Sequence, residues 1–255
     1  MSASPSSSSS PVVVVTGAGS GVGRAVARKF AAEGWQLALV GRHEGTLRET
    51  ATESGGDETG RCAVFTCDVG QADDVARMAT AVLSRFGHVD VLVNSAGVIQ
   101  SGGVESLPLG EWRKVIDINL LGTLYTCKAA IGPMKAQGAG DIINISSTAG
   151  RRAAGLFGPY STSKFGLTGL TEGLRQEVGG AGIRVSIVEP GATETEVAGG
   201  IIDPAMRAAM AEHVSKDGAM QPSDIADAIV FIASLPARAN VSQILIRPTI
   251  DTAAM

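Results

Sequence analysis

The sequence carries little charge for its length, and this scarcity excludes several kinds of partner. Charged residues make up 18% of the 255 residues, and the net charge is −4; globular proteins usually reach about a quarter. Such a chain lacks the basic surface that binds nucleic acids or anionic membranes. No apolar run reaches the roughly 18 residues that a membrane-spanning helix needs. We therefore expect no nucleic-acid or membrane partner, and additional surface buried between subunits.

The sequence contains only three cysteines and three histidines. Cys62, Cys67 and Cys127 lack the spacing of metal ligands, and the histidines are isolated from one another. The sequence therefore predicts no metal site. Cys62 and Cys67 flank a predicted buried strand, where a role as small hydrophobic residues is favoured. An odd number of thiols without a disulfide pattern indicates a reducing compartment, so we expect a cytoplasmic protein.

Apolar residues are abundant, at 44% of the chain, and they form strand-like and helix-like segments that alternate. The predicted strands are residues 12–16, 36–40, 63–66, 89–94, 142–146, 184–188 and 243–246. The predicted helices are residues 21–33, 46–53, 72–86, 109–135, 160–179 and 223–235. Strands this apolar are covered on both faces. The pattern predicts an α/β fold with a doubly wound parallel seven-stranded sheet, or Rossmann fold, and helices on both faces.

The same pattern predicts one domain over residues 11–250. Residues 1–10 are rich in serine and are expected to form a disordered tail, and residues 251–255 a second short tail. Residues 192–221 interrupt the regular alternation of strands and helices. In a compact domain such an excursion is often a lid over a binding cleft. The alternative is a variable surface insertion.

A glycine-rich turn follows the first predicted strand and leads directly into a helix. It reads T-G-A-G-S-G-V-G over residues 16–23. Glycines let the backbone approach a pyrophosphate, and the new helix directs unpaired N–H groups and its positive dipole end toward the phosphates. The turn therefore predicts a dinucleotide site with the candidate contacts Gly17, Gly19, Ser20, Gly21, Val22 and Gly23.

The end of the second predicted strand discriminates between NAD and NADP. A carboxylate at this point would bind the ribose 2′-hydroxyl of NAD. The sequence instead has Arg42, whose planar guanidinium suits a 2′-phosphate, and Glu44 lies slightly too far along the chain. The alternative interpretation is that Arg42 is a solvated cation in a turn and binds no ligand. The pattern favours NADP, with NAD the less favoured cofactor.

The next two strand ends also carry candidate nucleotide contacts. Asp68 and Val69 follow the third strand, where Asp68 would either accept a hydrogen bond from the adenine amine or cap the next helix. The fourth strand ends in Asn94, followed by Ala96 and Gly97, small residues that suit the close approach of a nucleotide. Ligands of such sheets bind outside the carboxyl ends of the strands, so we expect these residues in one cleft.

Ser147, Tyr160 and Lys164 form the strongest candidate catalytic group. Tyr160 and Lys164 are four residues apart on a predicted helix and therefore share one face. An ammonium beside a phenol should lower the phenol pKa from its usual value near 10, so that Tyr160 can act as general acid or base. Ser147 ends the fifth strand, where its hydroxyl can donate to a substrate carbonyl oxygen.

Together these motifs resemble those of the short-chain dehydrogenase/reductase family over roughly residues 12–233. The resemblance rests on T-G-x-x-x-G-x-G at 16–23, N-S-A-G at 94–97, the asparagine of D-I-N at 117–119, the serine that ends I-S-S at 145–147, and Y-x-x-x-K at 160–164. Ser95 replaces the second asparagine that the family has in N-N-A-G. The proline–glycine pair at 190–191 also matches the proline–glycine turn of the family.

The resemblance implies a role for each matched residue. Asn119 would hold a water that links Lys164 to solvent, and Ser147 and Tyr160 would bind the carbonyl oxygen, with their spacing excluding Ser146. The implied contacts to the ribose and nicotinamide come from Asn94, Tyr160, Lys164, Val188, Pro190, Gly191, Thr193 and Thr195. Ser20 stands where some NADP-preferring members carry a basic residue, which leaves use of NAD open.

The implied activity is hydride transfer between NADP(H) and a small carbonyl compound or secondary alcohol. Pocket candidates, including Phe157, are mostly apolar, and residues 243–249 are similar to those of serine dehydrogenase-like and clavulaldehyde reductase-like members. One alternative is a 3-oxoacyl-carrier-protein reductase, for which Arg151, Arg152 and Arg207 are the candidate docking residues. Another is a non-catalytic NADP-binding sensor. Family members usually pair helices 109–135 and 160–179 across subunits, so a homo-oligomer, dimer or tetramer, is expected.

Overall fold

One parallel sheet forms the centre of the molecule. The computed structural model describes residues 10–216 and 218–252, so residues 1–9 and 253–255 of the two predicted tails lie outside it. Within the described residues, seven parallel strands pair in the order β3-β2-β1-β4-β5-β6-β7. Their bounds are β1 Val12–Thr16, β2 Gln36–Gly41, β3 Cys62–Thr66, β4 Val91–Asn94, β5 Gly140–Ile145, β6 Ile183–Pro190 and β7 Gln243–Ile246. The predicted fold class is confirmed.

Helices cover both faces of this sheet. They are α1 Gly21–Ala32, α2 Glu44–Glu53, α3 Gly56–Thr59, α4 Ala72–Phe86, α5 Leu109–Ile116, α6 Gly122–Gln137, α7 Gly158–Val178, α8 Pro204–Lys216 and α9 Pro222–Ser234. The helix expected at 109–135 is divided by a π-helical turn, Asp117–Leu121. Helix α8 lies inside the segment 192–221, where no regular structure was expected. Its apolar residues do not repeat with a helical period, so periodicity could not indicate it.

The sheet separates two hydrophobic cores. Val13 and Val15 of β1 face one core, together with Phe30 of α1 and Ile229 of α9. Val14, which lies between them, faces the other core, to which α4, α6 and α7 contribute. Successive residues of a strand point to opposite faces, so a strand with helices on both sides must be apolar throughout. This explains the uninterrupted valines of β1.

The strand order reverses at β1, which lies between β2 and β4. Ligands of doubly wound sheets bind in the crevice outside the strand ends at such a reversal. Thr16 at the end of β1 is in register with Asn94 at the end of β4, and Asn94 with Asn144 of β5. The glycine turn after Thr16 and the chain after Asn94 therefore start side by side at this crevice.

The described residues also limit two other features of the chain. No helix among them is both long and apolar enough to cross a membrane. No group of three or more histidine, cysteine or carboxylate side chains among them could hold a metal ion. The three cysteines form no disulfide. Burial raises the pKa of the Cys67 thiol to about 11 and that of Cys127 to about 12. The shift at Cys67 is in keeping with the interpretation of this residue as a small hydrophobic one.

Candidate active site

The glycine turn is held against the end of β4 by Thr16. The Thr16 hydroxyl accepts hydrogen bonds from the backbone N–H groups of Ser95 and Ala96, both at 3.1 Å. Gly17 has a φ of 67°, and a Cβ on it would lie 2.8 Å from the Cα of Ala96. Only glycine fits this left-handed conformation and close contact. The sequence motif contains Thr16, but its role as the link between β1 and β4 was not expected.

The other side of the glycine turn contacts the segment after β6. A Cβ on Gly21, whose φ is 47°, would lie 3.3 Å from the Thr195 side chain. A Cβ on Gly23 would lie 2.2 Å from the carbonyl oxygen of Gly17, so the helix start folds tightly onto the turn. The structure therefore brings together Gly17, Gly21 and Thr195. Ser20 is exposed at the tip, and Val22 packs partly against the core.

Arg42 follows β2 and is exposed, and the described residues give it no ion-pair partner. Its neighbours are engaged elsewhere. Arg24 donates to the carbonyl oxygen of Gly19 at 2.6 Å and pairs with Glu49, and Glu44 accepts from Arg48 at 2.6 Å. The carboxylate nearest the end of β2 is thus bound to a helix arginine, while the Arg42 guanidinium is available to an anion.

Two residues predicted to contact the nucleotide form hydrogen bonds within the protein. Asp68 accepts from the backbone N–H of Gly70 at 3.0 Å, so it stabilises the turn before α4. The Asn94 side chain is buried, with Nδ2 donating to Asn144 at 2.9 Å and Oδ1 accepting from Thr126 at 2.7 Å. Its amide is directed into the protein, so only the backbone of Asn94 is free to contact a nucleotide. Val69 is buried against Gly122.

Ser147, Tyr160 and Lys164 meet where β5 ends and α7 begins. The Ser147 side chain lies close enough to Tyr160 to lower the pKa of its phenol. Lys164 is 6% exposed; its Nζ donates to the carbonyl oxygen of Ile145 at 2.8 Å and lies 5.6 Å from the centre of the Tyr160 ring. Pro159 at the start of α7 suits the first helical turn, because a proline there loses no helical hydrogen bond. The helix thus begins at Gly158, two residues before Tyr160.

The expected direction of the Tyr160 pKa shift is wrong for this structure. Burial raises the pKa of Tyr160, and the nearby Ser147 side chain opposes that rise only in part. Burial also lowers the pKa of Lys164 to about 8. The ammonium lies over the tyrosine ring and donates to a strand carbonyl rather than to the phenol oxygen. Desolvation therefore dominates for both groups, and the Tyr160 phenol is uncharged near neutral pH.

Asn119 lies on the π-helical turn and is buried. Its Oδ1 accepts from the backbone N–H of Val98 at 2.8 Å, and its Nδ2 donates to the carbonyl oxygen of Val98 at 2.9 Å and to Ser163 at 3.1 Å. A Cβ on Gly97 would lie 3.5 Å from the Asn119 Oδ1 and 4.0 Å from the Lys164 Nζ. Asn119 therefore connects the chain after β4 to α7. π-turns are often found at functional sites, and no sequence period indicates them.

The segment after β6 closes the site on its far side. The backbone N–H of Gly191 donates to the carbonyl oxygen of Ile246 at 2.8 Å, which fixes Gly191 and the buried Pro190 beside β7. Thr193 forms a parallel bridge with Met220. Phe157 forms another bridge with Gly102, which brings the chain after β4 beside the start of α7. Phe157 is therefore close in sequence and in space to Tyr160.

Residues 11–204 match the family described as short chain dehydrogenase. The chain belongs to this family. An uncharacterized oxidoreductase of Staphylococcus saprophyticus is 32% identical over 237 residues, 93% of this chain and 97% of that protein. Among solved structures, an alcohol dehydrogenase of the archaeon Thermococcus sibiricus, complexed with 5-hydroxy-NADP, is 30% identical with a TM-score of 0.85, covering 96% of this chain and 99% of that one. A closed form of serine dehydrogenase, complexed with NADP+, is 26% identical with a TM-score of 0.87, covering 96% and 97%.

Two polar residues of this short chain dehydrogenase were missed from the sequence. Gln100 is buried; its Nε2 donates to the carbonyl oxygen of Gly200 at 2.6 Å, and its Oε1 accepts from the backbone N–H of Ile202 at 3.2 Å. Glu189 is completely buried and accepts from Arg151. Both contacts join residues far apart in the sequence. No local spacing or period could have indicated them.

Proposed function

We propose that this short chain dehydrogenase is an NADP(H)-dependent oxidoreductase acting on small carbonyl compounds and secondary alcohols. The observation that carries the proposal is that the partly buried side chains of Tyr160 and Ser147 lie close to each other and to Lys164, at the carboxyl ends of the strands. The site supplies a proton donor, a second hydroxyl and a nearby cation within one crevice. Carbonyl reduction needs these groups at the oxygen that receives the proton.

The residues present fit a dinucleotide. Gly17 and Gly21 have no side chains, so a ligand can approach the backbone at the start of α1. The N–H groups and the dipole of the helix favour the binding of phosphates there. Further cofactor contacts are proposed from Gly19, Ser20, Val22, Gly23, Asp68, Val69, Ala96, Gly97 and Thr193. When bound, the nicotinamide supplies or accepts the hydride. Arg42, which has no ion-pair partner in the part of the chain that the structure describes, is the proposed contact to a 2′-phosphate.

The protein's own groups manage the proton and the oxygen. In the reductive direction Ser147 donates a hydrogen bond to the substrate carbonyl oxygen, and Tyr160 transfers its proton to that oxygen. Because burial keeps Tyr160 protonated, it begins this step in the correct state. Lys164 adds positive charge below the phenol and is a candidate contact to the ribose. Asn119 holds the chain after β4 against α7 and is the proposed site of a water relay to Lys164.

Residues 192–221 are proposed as the lid over the substrate. The segment is fixed at its base by the bridge between Thr193 and Met220, and near its tip by the two hydrogen bonds of Gln100. Ile201, between the two bonded residues, is buried. Phe157 is the proposed apolar wall of the pocket. A pocket closed by these residues suits a small, mostly neutral substrate.

The acyl-carrier-protein reductase and the sensor are less well supported. Arg151, one of the three arginines considered for docking an acidic carrier, is bound to Glu189. A sensor has no need for Ser147, Tyr160 and Lys164 together.

We also propose a homo-oligomer, a dimer or tetramer: Leu124 and Phe165, on α6 and α7, are exposed apolar side chains that a second subunit would cover. A cytoplasmic location stays a prediction.

A panel of small ketones, aldehydes and secondary alcohols, assayed with NADPH or NADP and with NADH or NAD, tests the proposal. We expect turnover of at least one carbonyl substrate and a preference for NADPH. Arg42→Ala is expected to raise KM for NADPH by roughly ten- to a hundredfold, the value of one or two hydrogen bonds to a charged group, and to leave KM for NADH unchanged.

Arg48→Ala is the matched control, because Arg48 is a nearby exposed arginine on α2 that is bound to Glu44. Its KM for NADPH should stay within about twofold of the unmodified protein, as expected for an exposed ion pair. A preference for NADH in the unmodified protein would contradict the assignment of Arg42. Inactivity toward every member of the panel would contradict the substrate class.

The pKa of Lys164 predicts a pH dependence. Burial lowers this pKa to about 8, so the ligand-free protein loses the ammonium as the pH rises through about 8. Tyr160 keeps its proton there because its pKa is raised. We expect kcat/KM for NADPH, which reports ionisations of the free enzyme, to fall about tenfold per pH unit above that point. Lys164→Arg should remove this fall, since a guanidinium stays charged. A flat profile up to about pH 10 in the unmodified protein would argue against a role for the ammonium.

A further inference from the structure

An ion pair with a buried carboxylate lies next to the turn that begins at the proposed catalytic serine. Glu189 of β6 has no exposed surface, and the Arg151 side chain is 34% exposed. Nε and Nη2 of Arg151 donate to the same Oε2 of Glu189, at 2.9 and 2.7 Å, and Gln243 of β7 donates to that oxygen at 2.7 Å. Three donors thus converge on one carboxylate oxygen. The other, Oε1, has no hydrogen-bond partner among the described residues.

The two members of the pair belong to the two turns that border the site. Arg151 directly follows the 3₁₀ turn Thr148–Gly150, which starts at Ser147. Within this turn, the backbone N–H of Ala149 donates to the Ser147 hydroxyl at 3.1 Å, and that of Gly150 to the Ser147 carbonyl oxygen at 2.9 Å. Glu189 directly precedes Pro190 and Gly191, where nicotinamide contacts are proposed. The ion pair therefore joins the serine turn to the proline–glycine turn.

Backbone pairing between β5 and β6 ends before Ser147 and Glu189, so side chains join the two turns. β5 and β6 pair as far as Ile145 and Val188, and the last link along this edge is the backbone N–H of Ser146 donating to the carbonyl oxygen of Val188 at 2.7 Å. The turn that starts at Ser147 extends past this last link. A carboxylate without solvent contact is costly unless it is paired, so its position is strongly tied to that of its partner. The pair is suited to fix the turn.

We propose that Arg151 and Glu189 are positioning residues that hold the Ser147 hydroxyl at the distance from Tyr160 and the nicotinamide that the reaction requires. The inference rests on the proposed function for its kinetic consequence, but its structural consequence stands alone. Neither residue touches the reacting atoms. Their effect is on the placement of Ser147, and a misplacement of about 1 Å can lower a rate by about a hundredfold.

The test removes the pair without leaving a buried unpaired charge. In Arg151→Met/Glu189→Leu both partners are replaced by apolar side chains of similar size, a change that proteins often tolerate. We expect a folded protein with NADPH affinity within about threefold of the unmodified protein, because neither Arg151 nor Glu189 is a proposed cofactor contact. We expect kcat to be lowered by at least about tenfold. The isotope effect on kcat from deuterated NADPH should increase, since the chemical step becomes slower. Arg151→Lys, which keeps the charge, should recover part of kcat.

Arg184→Lys is the matched control. Arg184 of β6 and Asp141 of β5 form a bidentate ion pair at the opposite ends of these two strands from the site. This variant is expected to lower the thermal stability and leave kcat within about twofold, as for a change that only affects packing far from the site. If the double variant at 151 and 189 also lost only stability, with kcat and the isotope effect unchanged, the pair would be structural and the proposal wrong.

A crystal structure of the double variant separates this proposal from the proposed function. We expect the turn at 147–151 to be displaced or disordered relative to the unmodified protein. An unchanged turn would overturn the positioning role even if no substrate were found. Conversely, the turn could be displaced in the double variant while the unmodified protein reduces no carbonyl compound. That result would support the positioning role and contradict the proposed function.

Discussion

Tyr160→Phe is expected to lower kcat for carbonyl reduction by at least about a hundredfold, the lower range of general acid–base catalysis. The substitution removes one oxygen atom and the proton that it donates, and leaves the ring that lies over Lys164. The raised pKa of Tyr160 is important for the direction of the effect, because the buried phenol is protonated at neutral pH and can act as an acid. NADPH affinity, measured by fluorescence titration, should change by less than about threefold, since an uncharged hydroxyl contributes little to net binding.

The chain contains a matched control for this variant, because Tyr125 is its other tyrosine. Tyr125 lies on α6 and packs partly against the core on that face. Tyr125→Phe removes the same atom and should keep kcat within about twofold, as expected for a surface change away from the site. Near-normal turnover by Tyr160→Phe, with Tyr125→Phe as reference, would remove Tyr160 from the mechanism. A parallel loss of NADPH affinity would instead indicate a binding role.

The fold could be predicted because its determinants are local and periodic. β1 consists of valines followed by threonine, and the strand bounds Val12–Thr16 agree with the prediction, as do those of Ala72–Phe86 for α4. The π-turn Asp117–Leu121 and helix α8 could not be predicted. The first adds one residue to a helical turn within an unbroken apolar pattern. The second has no apolar face, so its formation depends on the surrounding structure rather than on its own period.

The site was predictable only where its residues lie close together in the sequence. The glycines of the turn and the pair of Tyr160 and Lys164 share one loop or one helix, and the structure brings each set together. Asn94 has the expected position, but its amide is bound inside by Asn144 and Thr126. The direction of the Tyr160 pKa also depends on burial, which spacing does not reveal. Orientation and desolvation are properties of the packed structure.

Ser147→Ala is expected to lower kcat by about a hundred- to a thousandfold, the effect of removing one hydrogen-bond donor from a developing oxyanion. The Ser147 hydroxyl lies close to Tyr160 and accepts a hydrogen bond from the backbone N–H of Ala149. It is therefore oriented before substrate arrives, and an oriented donor in a water-excluded site stabilises charge more than water does. KM for the carbonyl substrate should change less than kcat, because the negative charge on the oxygen develops mainly in the transition state.

Ser146→Ala is the matched control, since the two serines are adjacent but their side chains have different surroundings. The Ser146 hydroxyl is buried and donates to the carbonyl oxygen of Lys164 at 3.3 Å, a backbone contact within the protein. Its loss should lower the thermal stability slightly and leave kcat within about threefold, in line with a single neutral hydrogen bond. If Ser146→Ala had the larger effect on kcat, the oxyanion contact would belong to the wrong serine. If both variants kept their activity, stabilisation of the oxygen would have to come from Tyr160 alone, and the hydroxyl that Ala149 orients would have no catalytic role.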